Sequence, residues 1–118
     1  MREHPRENFE WTDEFVYKVL ARGIFPGNRC DIQDTKDAVM EAINSKNVDS
    51  AIVSDAEHCG EKVIFPIKGR LVSFPFVRER EKIVVKSAFY SEKRDKDIYA
   101  KEIKALKENI IEGSVWPG

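Results

Sequence analysis

Lys82-Ile83-Val84-Val85-Lys86-Ser87-Ala88-Phe89-Tyr90 has a two-residue period, and within ten residues that period gives way to a helical one. Ile83, Val85, Ser87 and Phe89 fall on one face of the predicted strand, with Lys82, Val84, Lys86, Ala88 and Tyr90 on the other. From about Lys93, the residues Ile98, Tyr99, Ile103, Leu106 and Ile110 follow the spacing of an amphipathic helix, and Gly113 is placed to close it. A strand that hands over to a long helix, with two lysines and a tyrosine opposite its most apolar face, predicts a core on one side. The other side is predicted to carry a polar site.

Towards the N-terminus the next stretches read as paired strands. Lys62 to Lys68 and Arg70 to Val77, split by Gly69, form a predicted hairpin, and Arg78-Glu79-Arg80-Glu81 form the turn into the strand above. Pro66 and Pro75 each remove a backbone donor, which points to an edge position or a bulge. Ala51 to Ser54 is a short buried strand, followed by a polar loop from Asp55 to Glu61. Before it stand two helices. The first is capped by Thr12 or Asp13, runs to about Arg22 and ends at Gly23, with Trp11, Phe15, Val19 and Leu20 on one face. The second opens at Asp34 or Thr35 and reaches Ser45, with Val39, Ala42 and Ile43 inward. Residues 24–33 between them read as a loop around Pro26-Gly27-Asn28.

The predicted class is α+β: two N-terminal helices, a four-stranded mainly antiparallel sheet with helices on one face, and a long C-terminal helix. The 118 residues suit a single domain, with 1–8 and 114–118 as loose tails. A 42% hydrophobic content fits a globular chain, and no apolar run approaches the length of a membrane span. Without an apolar N-terminal segment and with only Cys30 and Cys59, the chain is expected to be cytoplasmic and free of a disulfide framework. The net charge of −1 conceals an asymmetry. Residues 1–60 hold 7 Lys/Arg against 12 Asp/Glu, whereas residues 61–108 hold 13 against 8.

A basic half invites a nucleic-acid reading, and the alternative is that interleaved charges simply solvate the surface. On the open sheet face, Arg78, Arg80, Lys82 and Lys86 would bind phosphate and Tyr90 would stack or donate a proton. Cleavage of RNA needs a proton acceptor and a donor, and in this stretch they would be Glu79 or Glu81, with Glu81 preferred, and Lys86 or Tyr90, their pKa values strongly shifted. His58-Cys59 with Cys30, completed by His4 or an acid, is the one metal-like grouping; lacking paired ligands at short spacing, it leads us to expect no metal and no cofactor. Trp11 and Trp116 are aromatic anchors that either mark a partner surface or cap the core.

Two islands of the sequence resemble a family. Phe9-Glu10-Trp11 opening a helix that ends in Ala21-Arg22-Gly23-Ile24 is similar to the start of BrnT-type toxins, with Arg22 where that family has histidine. Ile83-x-Val85-x-Ser87-Ala88 followed by Asp95-x-x-Ile98-Tyr99 resembles the family's strand-then-helix, with Phe89 and Tyr90 where the family is basic. The resemblance implies a RelE-like fold, ribonuclease activity and a cognate antitoxin as protein partner. A non-enzymatic interaction protein on the same fold, such as an inhibitor or an immunity-like partner, is the second expectation.

Overall fold

The computed structural model describes residues 8–44, 49–55 and 60–115, with side chains through 108. Nine elements follow in the order β1 (Phe9–Trp11), α1 (Asp13–Arg22), α2 (Ile32–Asn44), β2 (Ala51–Asp55), β3 (Gly60–Ile67), β4 (Arg70–Glu79), β5 (Lys82–Val85), β6 (Phe89–Tyr90) and α3 (Lys93–Val115). The class is α+β, as the periodicities predict. The sheet, however, has six strands rather than four, in the order β1-β5-β4-β3-β2 with β6 also paired to β4. One addition is β1, near the N-terminus, and the other comes from the division of residues 82–90. Phe9–Trp11 is a strand parallel to β5, so Trp11 belongs to the sheet and not to the first helix. The predicted strand 82–90 is two strands, not one.

Its interruption is a one-residue bulge. Phe76 pairs with Val85, yet Ser73 pairs with Phe89, so three residues (86–88) oppose two. The backbone N–H of Lys86 donates to the Pro75 carbonyl at 2.8 Å, and Thr12 Oγ1 donates to the Lys86 carbonyl at 2.7 Å. Pro75 suits this place. In the β3–β4 ladder, Ile67 and Arg70 flank a two-residue turn, so alternate pairs outward from them exchange hydrogen bonds and Pro75 points its nitrogen towards the bulge. A missing donor costs least where the ladder is already broken. The extra residue also reverses the faces beyond it: Ala88 is wholly buried in the main core and Tyr90 packs against that core. Tyr90 therefore does not share a face with Lys82, as unbroken alternation predicts.

The helices lie on both faces, not one. Phe15 and Val19 of α1 and Val39, Met40, Ala42 and Ile43 of α2 pack on Val63, Phe65, Val72, Phe74, Phe76, Ile83 and Val85. Each large side chain buried there contributes about 1.5–3 kcal/mol. α3 crosses the opposite face, where Asp95 reaches Lys62 and Ser73 and Ile103 is buried outside the main core.

Local signals set the helix ends. The Thr12 hydroxyl accepts from Phe15 N–H at 3.1 Å, and Gly23 closes α1 with φ 64°. α2 begins at Ile32, earlier than Asp34, because Asp31 accepts from the Gln33 N–H at 2.9 Å and caps it. α3 continues through Gly113 to Val115. A lone glycine costs a helix only about 1 kcal/mol. Among the described residues, no helix is long and apolar enough to cross a membrane.

Candidate functional site

The bulge leaves a gap in the sheet. β1 pairs with β5 only as far as Val85, and beyond it β6 pairs only with β4 among the described residues. The C-terminal half of α1 and the first turn of α3 flank this open edge and enclose a cleft of about 550 Å³. Its walls carry Lys18 and Arg22 from α1, Glu92 from just before α3, and Arg94 and Asp95 from the first turn of α3. Phe89 and Tyr90 of β6 lie between them, with Lys62 beneath and Glu14 at the α1 rim. The first amide groups of a helix lack intrahelical acceptors and carry its positive dipole end, so α3 adds positive potential here.

The cleft rests on a buried ionic cluster. Lys62 is 3% exposed and stands in the β3 row that faces α3. Its ammonium donates to Asp95 Oδ1 at 2.9 Å and lies 3.8 Å from Asp55 Oδ1. The Phe89 ring lies 5.7 Å from the same nitrogen, within cation–π range. Ser73 Oγ donates to Asp95 Oδ2 at 3.1 Å; its single proton being used there, Ser91 must donate in their 2.7 Å contact. Both carboxylate oxygens of Asp95 are thus held, and the start of α3 is fastened to the middle of the sheet.

A second clasp ties α1 to β6. Arg22 Nη1 donates to the Ala88 carbonyl at 3.1 Å, and the Tyr90 hydroxyl donates to the Arg22 carbonyl at 2.9 Å. The Arg70 guanidinium lies over the Tyr90 ring at 3.6 Å. Tyr90 is consequently oriented from both ends, and Arg22 keeps further N–H donors beyond the one given to Ala88.

The predicted site residues divide between distant places. Tyr90 lines the cleft, but Glu81 stands in the β4–β5 turn at the far end of the strand pair. Nine residues at about 3.3 Å each put roughly 25–30 Å between them, so they do not form one site. Lys86 lies in the bulge and is not among the cleft-lining residues. Arg78 pairs with Glu61 at 2.6 Å and lies 5.4 Å from the Phe76 ring. Arg80 and Lys82 sit with Glu79 and Glu81 around a separate hollow at the turn. Lys82 donates to Glu10 at 2.8 Å, and that bond and charge hold its pKa above the usual lysine value. The four nucleic-acid candidates therefore do not make a single basic patch on an open face.

Cys30 is exposed, while His4, His58, Cys59 and Trp116 lie outside the described residues. No metal-binding group of His, Cys, Asp or Glu occurs among the described residues.

Sequence reasoning missed Lys62, Asp95, Lys18 and Arg94 as a group. The signal for Lys62 was present: a lysine at an alternate position of a strand whose neighbours are apolar, with Asp95 offering the opposite charge 33 residues on. What the sequence did not carry was that α3 crosses the second face and brings them together. Comparison with protein-family models, with curated proteins and with solved structures gives no match.

Proposed function

We propose that this chain is a RelE-like, BrnT-type ribonuclease toxin that acts on single-stranded RNA in the α1–β6–α3 cleft and is held in check by a protein antitoxin. One observation carries the reading. The two islands that resemble the family are remote in sequence but border one cavity: Arg22 ends α1 in its wall, Ser87 lies at its edge, and Asp95 supports its floor. Cations for phosphate and aromatic rings for bases are the combination that single-stranded nucleic acid requires.

The reaction requires one group that accepts a proton and one that supplies it. The 2′-oxygen attacks the adjacent phosphorus, and its proton passes to a carboxylate. Glu14 and Glu92 are the cleft carboxylates not engaged with Lys62. The P–O5′ bond breaks, leaving a 2′,3′-cyclic phosphate, and the departing oxygen takes a proton from the Lys18 ammonium or from water. Guanidinium groups do not release protons, so Arg22 and Arg94 stabilise charge on the phosphate. Inducible expression in a bacterial host tests the reading. Growth arrest with loss of total RNA is expected, and relief of both by Glu14→Gln/Glu92→Gln. Normal growth with intact RNA would overturn it.

A second reading, a non-enzymatic interaction module, is favoured by one feature. Tyr17 and Leu20 lie three residues apart on α1 and are 66% and 56% exposed, an apolar pair suited to a protein partner. That reading predicts a stable complex, lost in Tyr17→Ser/Leu20→Ser, with no RNA cleavage at any concentration.

A further inference from the structure

We propose that the cleft seats one nucleotide unit. Its phosphate would lie between Lys18, Arg94 and the first turn of α3, and its base would lie against the Phe89 ring. The inference deepens the RNA reading and rests on it for the source of the nucleotide, but binding itself requires no strand cleavage.

Three features converge. Lys18 lines the cleft and makes no ion pair among the described residues. Arg94 is at the second position of α3, so its side chain and the first-turn amides of that helix approach the same space. Phe89 is half-buried: Lys62 lies at one side of its ring, and the ring also forms part of the cleft wall. A base stacked there would share the ring with a buried cation.

Size and charge narrow the ligand. A cavity of about 550 Å³ is in the range that encloses a small ligand, and suits one nucleotide with part of the next better than a duplex. Glu14 and Glu92 share the walls with Lys18, Arg22 and Arg94. The lining carries four cations, Lys18, Arg22, Lys62 and Arg94, against three carboxylates, Glu14, Glu92 and Asp95, which leaves a small positive excess for an anion.

Titration of the full chain with adenosine 3′-monophosphate, inorganic phosphate and adenosine, followed by NMR, tests the seat. The monophosphate should bind at least tenfold more tightly than phosphate or adenosine alone. Lys18→Gln/Arg94→Gln should weaken both phosphate-bearing probes about tenfold or more, as loss of charged hydrogen bonds does. Phe89→Leu should weaken the monophosphate roughly five- to a hundredfold and leave inorganic phosphate unchanged. Absence of binding, or binding unchanged in the Lys18/Arg94 variant, would overturn the seat even if RNA is cleaved. Binding with this pattern but no RNA loss on expression would uphold the seat and remove the ribonuclease reading.

Discussion

Lys62 is the residue on which the second face of the sheet depends. A buried ammonium held between two carboxylates is costly to break, because removing it leaves Asp95 and Asp55 charged and dry. Lys62→Met is expected to destabilise the chain by about 3–5 kcal/mol in denaturant unfolding. Lys62→Met/Asp95→Asn should cost clearly less than the sum of the two single changes, since the two share one interaction. Gly60 is constrained differently. A Cβ there would stand 2.6 Å from the Phe76 carbonyl oxygen and 2.6 Å from Val77 Cγ1, so Gly60→Ala should cost about 1–3 kcal/mol in the same assay. Tyr99 supplies a pH dependence. Burial, and secondarily the Asp49 charge, raise its pKa above 10.0, while its hydroxyl donates to the Asp49 carbonyl at 2.8 Å. The folded chain keeps this proton where the unfolded chain loses it. Its contribution is therefore whole below pH 10.0 and falls as pH rises through the folded value. Melting curves above that pH should decline less steeply in Tyr99→Phe than in the parent.

At the scale of elements, the turns and the bulge determine what faces what. Lys68 and Gly69 join β3 to β4 with φ 52° and 78°, the two left-handed residues of a type I′ turn. Asparagine tolerates that conformation better than lysine, so Lys68→Asn should raise stability by a few tenths to about 1 kcal/mol, measurable as a higher midpoint. Much of this level was legible in the sequence. Thr12 and Gly23 mark α1 by local hydrogen bonding, Gly69 marks the hairpin, and the period change after Tyr90 marks α3. Pro66 and Pro75 pointed to an edge position or a bulge in their own strands, but β3 and β4 are inner strands and the extra residue beside Pro75 lies in the partner segment 86–88. Three-residue β1 carries too little periodicity to be seen, and its pairing with β5 joins positions 74 apart. Such non-local pairings are decided by packing, which a short stretch of sequence does not display.

The whole molecule makes its site from parts that no single stretch contains. α1, β6 and the start of α3 meet only because the bulge opens the sheet edge and the Lys62–Asp95 contact fastens α3 across the other face. The sequence offered the aromatic residue, Tyr90, and the basic character of the second half. Unbroken alternation put Lys82 and Lys86 on one face with Tyr90, with Arg78 and Arg80 in the turn beside it, and the bulge at 86–88 breaks that alternation. The folded chain instead groups Lys18, Arg22 and Arg94 from two helices. The most direct measurement is cleavage of a single-stranded RNA by the purified protein. Parent, Lys18→Gln/Arg94→Gln and Arg80→Gln/Lys82→Gln would be compared, with folding of each checked by thermal melting. The ribonuclease reading predicts cleavage by the parent, at least a tenfold loss in the cleft variant and near-parental cleavage in the turn variant. Intact RNA with the parent, or loss confined to the turn variant, would contradict it.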